Sequence, residues 1–190
     1  MKLKLIVFLL ISSIYSVNAQ EQSFSKSSIK IASGIGFNET KNETGFGMIY
    51  ELGYQINLDK KNRLRLNSLI SIGQFSASDI TDVKDQYYTQ TGLQINLNYD
   101  LLKFKSTSLL LSGGAYLNNS KGLIGTGGEL QTNNQSYYFN NTYVGLIAGM
   151  GIRVNSLKSR VAFEIKPLNV QVGNNEFVSI FAAFGIDIKL

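Results

Sequence analysis

Every second residue is apolar, without interruption, through the last stretch of the chain, residues 177–190. One phase of the alternation holds only apolar residues: Val178, Ile180, Ala182, Phe184, Ile186, Ile188 and Leu190. The other phase becomes small and charged toward its end, where it contains Gly185, Asp187 and Lys189. Successive side chains of a β-strand point to opposite faces, so this pattern predicts a strand with one entirely apolar face.

The same alternation recurs along the chain and predicts eight strands in all. Their predicted ranges are 28–38, 45–57, 63–75, 87–100, 107–118, 142–154, 160–172 and 177–190. In the seventh strand the phase slips by one residue at Pro167, which predicts a β-bulge. An even number of strands, each long enough to cross a bilayer when tilted, predicts an all-β fold. The expected architecture is an eight-stranded antiparallel up-and-down transmembrane β-barrel.

The predicted connections alternate between two kinds. The turns after strands two, four and six are short, and they carry Lys60, Lys61, Lys103, Lys105 and Lys158 against the single acid Asp59. The remaining loops vary in length and contain more acidic than basic residues, and the longest is predicted over residues 119–141. Short turns at one end and longer loops at the other are typical of membrane barrels.

Two short segments precede the predicted barrel. Lys2 and Lys4, an apolar run over residues 5–14 and the small residues before position 20 predict a secretory signal peptide over residues 1–19. Residues 20–27 are polar and are expected to form a flexible lead. The barrel domain is predicted over residues 28–190, in an exported protein of the bacterial outer membrane.

The amino-acid composition argues against an enzymatic function. The chain has no Cys and no His, so it carries neither a thiolate metal site nor an imidazole to activate a serine nucleophile. We expect a non-enzymatic protein without catalytic residues, metal or cofactor. The basic residues are scattered rather than interleaved with aromatic ones, so nucleic acid is not an expected partner.

The polar phase of the strands contains charged residues of both signs. In a barrel of eight strands the interior is only wide enough for side chains, and charges buried there must be paired. We therefore predict an interior ion-pair plug. Asp100, Arg63, Arg160 and Lys189 lie in the polar phase of their strands and are expected to face the same interior. The principal members of the plug are Lys30, Glu51, Arg65, Arg153, Glu164, Lys166 and Asp187.

Alternation alone leaves two alternatives open. A soluble lipocalin-like binding barrel would turn the apolar phase inward around a ligand. A narrow, porin-like channel or transporter for small or hydrophobic solutes would leave a path through the charged interior. The aromatic residues Tyr137, Tyr138 and Phe139 are also open to two interpretations, as surface contacts of the longest loop or as an extension of the sixth strand.

These features together resemble the small eight-stranded outer-membrane barrels of the OmpA-like and OmpX-like type. The resemblance covers residues 28–190 and depends on the signal peptide, the strand count, the loop asymmetry and the apolar terminal strand. The chain ends on Leu190, where members usually end on an aromatic residue. The resemblance implies a cell-envelope protein with a side-chain-filled interior and a role in envelope structure or surface interaction through its extracellular loops. It also implies outer-membrane lipids and the barrel assembly machinery as partners, besides an unidentified surface ligand.

Overall fold

A computed structural model describes residues 26–40, 44–59, 61–77, 87–126, 135–156 and 160–190. These residues form eight strands: β1 (Ser27–Glu39), β2 (Thr44–Asn57), β3 (Leu64–Ala77), β4 (Tyr87–Phe104), β5 (Thr107–Thr126), β6 (Gln135–Asn155), β7 (Val161–Gly173) and β8 (Val178–Lys189). The predicted signal peptide lies outside the described residues. Strand β1 begins at Ser27, one residue inside the stretch predicted as a flexible lead.

Each strand pairs in antiparallel fashion with its neighbours in sequence, and β1 pairs with β8 to close the barrel. In the closing pair, Ile31 lies opposite Ile186 and Lys30 lies opposite Asp187. The prediction of an eight-stranded antiparallel barrel is therefore confirmed. Within the part of the chain that the structure describes, no helix is long and apolar enough to span a membrane.

The apolar phase of the strands faces outward. Ile70, Ile95 and Leu146 are 56%, 60% and 66% exposed, whereas Asn67 and Asn98 in the polar phase are completely buried. This arrangement is the reverse of the lipocalin-like alternative, which requires an apolar interior. An apolar band around a polar interior is the pattern of a barrel surrounded by lipid.

Two bulges interrupt the regular alternation. The first lies between Lys166 and Asn169 and leaves Pro167 and Leu168 both exposed, which confirms the bulge predicted from the phase slip. The second lies between Asp100 and Leu102 at the end of β4, and it was not predicted. It turns Leu101 and Leu102 to the outside together, so that β4 widens the apolar band beside its turn.

The prediction of a long loop over residues 119–141 is wrong. Strand β5 continues to Thr126 and β6 begins at Gln135, which makes them the longest strands, of 20 and 21 residues. Their ladder continues in register from the barrel wall up to the pair Thr126 and Gln135. The sequence lacks an apolar phase at the outer end of these strands because strands that leave a bilayer need no apolar face.

An outward apolar face predicts a cost for charge that depends on depth. Ile70→Arg, near the middle of β3, should lower the free energy of unfolding in lipid vesicles by about 2–4 kcal/mol. Leu58→Arg is the matched control, because Leu58 is also half exposed but lies at the turn end of β2, where the cost should be below about 1 kcal/mol. Equal losses in urea titrations of the two variants would contradict the lipid-facing assignment.

Candidate functional site

The interior contains a charged cluster at the end of the barrel where the short turns lie. All of the predicted plug residues are buried there, together with Asp100. The charged cluster consists of Lys30, Glu51, Arg65, Asp100, Arg153, Glu164, Lys166 and Asp187. It contains four cations and four carboxylates among the described residues, so it is formally neutral.

The pair between Arg65 and Asp100 has the most regular geometry in the charged cluster. The two guanidinium nitrogens Nη1 and Nη2 of Arg65 donate to the two carboxylate oxygens of Asp100, at 2.9 and 2.6 Å. Such a two-point contact fixes both side chains, because the planar guanidinium matches the planar carboxylate. It ties β3 to β4, which supply the two residues.

Asp187 and Glu164 connect the other cations. Oδ2 of Asp187 forms an ion pair with Nη1 of Arg153 at 2.5 Å, and Oδ1 of Asp187 lies 3.9 Å from Nζ of Lys30. Lys30 is also paired with Glu164, whose Oε2 lies 4.0 Å from Nζ of Lys166. These contacts join β1, β6, β7 and β8 across the barrel. The plug residues that lie apart from them are Arg65, paired with Asp100, and Glu51, which accepts from Nε2 of Gln94 at 3.3 Å.

Three cations that share the predicted interior phase lie at its margin instead. Arg160 is exposed, and Arg63 and Lys189 are partly buried at the turn end. The assignment of Arg160 to the interior is wrong because the residue precedes β7, whose first residue is Val161. The alternation rule places a side chain only where the strand itself is formed.

Amide side chains occupy the interior beyond the charged cluster. Asn118 donates to Gln171 at 3.0 Å and Asn38 donates to Gln90 at 2.9 Å, and all four side chains are buried. Each bond connects strands that are not neighbours in the sheet, so it spans the interior rather than the wall. Such bonds add polar contacts to the interior toward the end of the barrel opposite the short turns.

An aromatic cluster fills the interior at the opposite end, and it was not predicted. Its members are Ile49, Phe75, Tyr88, Tyr116, Phe139, Tyr143, Ile147, Phe177 and Phe181. The rings of Tyr143 and Phe177 are stacked at 4.6 Å between centroids, and those of Phe75 and Tyr88 at 5.1 Å. A signal was present in the sequence, since these aromatic residues occupy the polar phase of their strands.

The three candidate loop residues have separate environments. Phe139 is buried in the aromatic cluster, with its ring centroid 5.6 Å from that of Tyr88, so its assignment as a loop contact is wrong. Tyr138 is 63% exposed on the outer surface. The backbone of Tyr137 belongs to β6, and its side chain lies outside the described part of the structure. Because side chains alternate along a strand, Tyr138 and Phe139 point to opposite faces of β6 and do not form one contact surface.

The outer parts of β5 and β6 form a surface with an open strand edge. We call this hairpin the β5–β6 extension; it comprises residues 118–126 of β5 and 135–143 of β6, which pair with one another throughout. Strand β7 reaches β6 only as far as the pair Gly145 and Gly173. Strand β4 reaches β5 only as far as the pair Tyr88 and Gly122.

The direction of the backbone groups along the open edge follows from Val144, the last residue of β6 that is hydrogen-bonded on the side of β7. The N–H of Val144 donates to the side chain of Asn174, and its C=O accepts from the N–H of Asn174, so both groups point toward β7. Alternate residues of a strand point their backbone groups to the same side. The N–H and C=O groups of Thr142, Asn140 and Tyr138 therefore point to a side where the described residues supply no strand.

The comparisons with known proteins support the fold. No protein-family model matches the sequence, and comparison with curated proteins gives no significant match. Neisserial surface protein A (NspA) has a similar structure, with a TM-score of 0.58 and 14% identity over 89% of this chain and 100% of that chain. Ail, the attachment invasion locus protein of Yersinia pestis, gives a TM-score of 0.51 and 12% identity over 87% of this chain and 98% of that chain. The chain thus has the fold of a small eight-stranded outer-membrane barrel.

The Arg65–Asp100 pair provides a test of the charged cluster. Asp100→Asn should lower the free energy of unfolding by about 3–5 kcal/mol, because it leaves a buried guanidinium without its counter-charge. The double variant Asp100→Asn with Arg65→Met should lose less than the single one, since no unpaired charge remains. A double variant that is less stable than Asp100→Asn in urea titrations would contradict this account.

Two neighbouring residues of β6 provide a test of the aromatic cluster. Phe139→Ala should lower the free energy of unfolding by about 3–5 kcal/mol, as expected for removal of a buried ring. Tyr138→Ala is the matched control and should cost less than about 1 kcal/mol, because that ring is exposed beyond the barrel wall. The opposite ranking in equilibrium unfolding would mean that the two faces of β6 are interchanged.

Proposed function

We propose that this protein is a non-enzymatic barrel of the bacterial outer membrane that contacts other proteins through its β5–β6 extension. The observation that carries the proposal is the open edge of β6, where backbone donors and acceptors are aligned and the described residues supply no partner strand. An edge of this kind pairs readily with an extended segment of another chain. Backbone pairing would supply affinity, and side chains beside the edge would supply specificity.

The interior supports a role in contact rather than transport. The charged cluster closes one end, and the amide pairs and the aromatic cluster fill the other end. The largest fully buried side chains include Arg153 and Tyr143 of β6, Tyr88 of β4 and Lys30 of β1, which all point into the interior. We expect no conductance on the nanosiemens scale in planar bilayers, and such a conductance would favour the channel alternative.

The surroundings of the edge also suit recognition outside the membrane. Asn119 on β5 donates to the side chains of Asn140 and Thr142 on β6, at 2.9 and 3.2 Å. This polar group on the outer surface keeps the extension ordered where no apolar band supports it. Ail, whose structure is similar, is named for attachment and invasion; for the present chain, attachment is part of the proposal.

The absence of cysteine from the chain allows a direct test of which end lies outside. In cells of a Gram-negative host that express the full chain, Asn140→Cys should react with a membrane-impermeant maleimide while the cells are intact. The control Lys61→Cys, at the turn end, should react only after the outer membrane is opened. Labelling of Lys61→Cys alone in intact cells would contradict the proposed orientation.

The edge itself is tested by removing one donor. Asn140→Pro removes an N–H that points to the open side and leaves the ladder to β5 intact, whereas the control Asn140→Ala keeps that N–H. Proline is tolerated on such an edge, so both variants should fold. We expect Asn140→Pro alone to reduce adhesion of expressing cells to surfaces coated with serum or extracellular-matrix proteins. Unchanged adhesion, with normal folding shown by altered gel migration on heating, would contradict a role for the edge.

A further inference from the structure

The end of the barrel opposite the β5–β6 extension carries a strong excess of positive charge. We call this group the basic collar; it consists of Lys26, Lys61, Arg63, Lys103, Lys105, Arg160 and Lys189, all outside the charged cluster. Outside the charged cluster, the only acidic side chain at this end within the described residues is Asp59. Its Oδ1 accepts from the backbone N–H groups of Arg63 and Leu64 at 2.7 and 2.9 Å, so this carboxylate is engaged in its own turn.

The exposed members of the basic collar form no ion pair with another described residue. The ion pairs between described residues lie in the interior, and none of them includes Lys26, Lys61, Lys105 or Arg160. All four of these side chains are exposed. The charged cluster above them is already balanced, so it contributes no net negative charge to offset them. Among the described residues, these four cations therefore present a positive surface without a paired carboxylate.

The basic collar directly borders the apolar band. Lys105 follows the exposed Phe104, Lys103 follows the exposed Leu102, and Lys61 lies three residues after the exposed Leu58. Apolar side chains at this border sit in hydrocarbon, and long cationic side chains beside them extend to the level of the lipid headgroups. The cations are thus arranged around the barrel at the depth where phosphate groups of one leaflet lie.

We infer that the basic collar binds anionic phospholipid headgroups of the leaflet that surrounds the turn end. Lysine and arginine side chains at a membrane surface attract anionic lipids, and several of them act together. The described residues of the opposite end do not share this property, since they carry Glu39 and Glu176 against Lys121. The inference rests on the proposed membrane location and adds a preference for one lipid class at one end of the barrel.

The position of the cations favours lipid over a soluble acidic partner. A soluble partner would be met by charges on the tips of the turns, as Lys61 and Lys105 are. Lys26, by contrast, lies beside the barrel wall, where its C=O accepts from the N–H of Asn57 at 2.9 Å as β1 begins. Arg160 likewise immediately precedes β7, and its C=O accepts from the N–H of Lys189 at 2.7 Å. Cations spread around the rim match a ring of headgroups better than a single docking face.

The experiment compares the lipids that contact the full-length folded protein in vesicles of phosphatidylcholine. Spin-labelled phosphatidylglycerol and spin-labelled phosphatidylcholine are added separately, and electron paramagnetic resonance measures the fraction of each that the protein immobilises. The principal variant combines Lys26→Gln, Lys61→Gln, Lys105→Asn and Arg160→Gln. Asparagine is used at position 105 because the backbone there has φ of 46°, a left-handed conformation that asparagine accepts.

We expect the wild type to select phosphatidylglycerol over phosphatidylcholine several-fold, and the combined variant to approach no selectivity. High salt should reduce the selectivity of the wild type, because it screens exposed charges. Two single variants provide a matched comparison: Lys61→Gln should reduce the selectivity and Lys121→Gln, at the other end, should leave it unchanged. Heat-dependent gel migration checks that each variant is folded.

Four results would overturn the inference, and they differ in what else they affect. Immobilised lipid without selectivity in the wild type would refute the collar's role and leave the membrane location intact. Selectivity that survives in the combined variant would assign the preference to other residues. Absence of any immobilised lipid would refute both this inference and the proposed membrane location. Binding of soluble polyglutamate by the collar, in a protein without lipid selectivity, would assign the collar to an acidic partner instead.

Discussion

Every residue in the wall of a closed barrel must point either to the surroundings or to the interior, because successive side chains of a strand alternate. Closure removes the free edges of the sheet, so the wall has no third environment in which a misplaced residue could lie. Leu146 and Ile147 illustrate the consequence, since the first is exposed and the second is buried in the aromatic cluster. The apolar band, the interior clusters and the bulges all follow from this one constraint.

The interior of so narrow a barrel must be filled, and in this chain two kinds of side chain fill it, paired charges and aromatic rings. At the turn end, paired charges hold the strands together through Arg65 with Asp100 and Arg153 with Asp187. At the other end, stacked rings such as Tyr143 and Phe177 fill the space without needing counter-charges. Equal numbers of cations and carboxylates in the charged cluster avoid a net buried charge, which would be costly. The filled interior moves any interaction with other molecules to the outer surfaces.

The alternation in the sequence was sufficient to predict the eight strands, the bulge at Pro167 and the residues of the charged cluster. It could not predict which charges pair, because the contact of Arg65 with Asp100 depends on the register between β3 and β4. It also missed the aromatic cluster, since the interior was treated as polar although Tyr88 and Phe177 share the interior phase. The prediction failed most clearly between residues 119 and 141. There the strands continue beyond the apolar band, and the pattern used to recognise a strand no longer applies.

The two ends of the barrel differ because each adapts to what lies beyond the apolar band. At the turn end the strands stop within a few residues of the band, so cations such as Lys105 and Arg160 are held at headgroup depth. At the other end β5 and β6 continue past their neighbours, and once β7 has ended at Gly173 the described residues supply no strand on that side of β6. A strand edge is useful for recognition only where a partner can reach it, and a ring of cations attracts lipid only where the wall is surrounded by headgroups. The charge asymmetry and the length asymmetry therefore both fit the proposed orientation, in which the turn end contacts anionic lipid and the extension is directed away from the membrane.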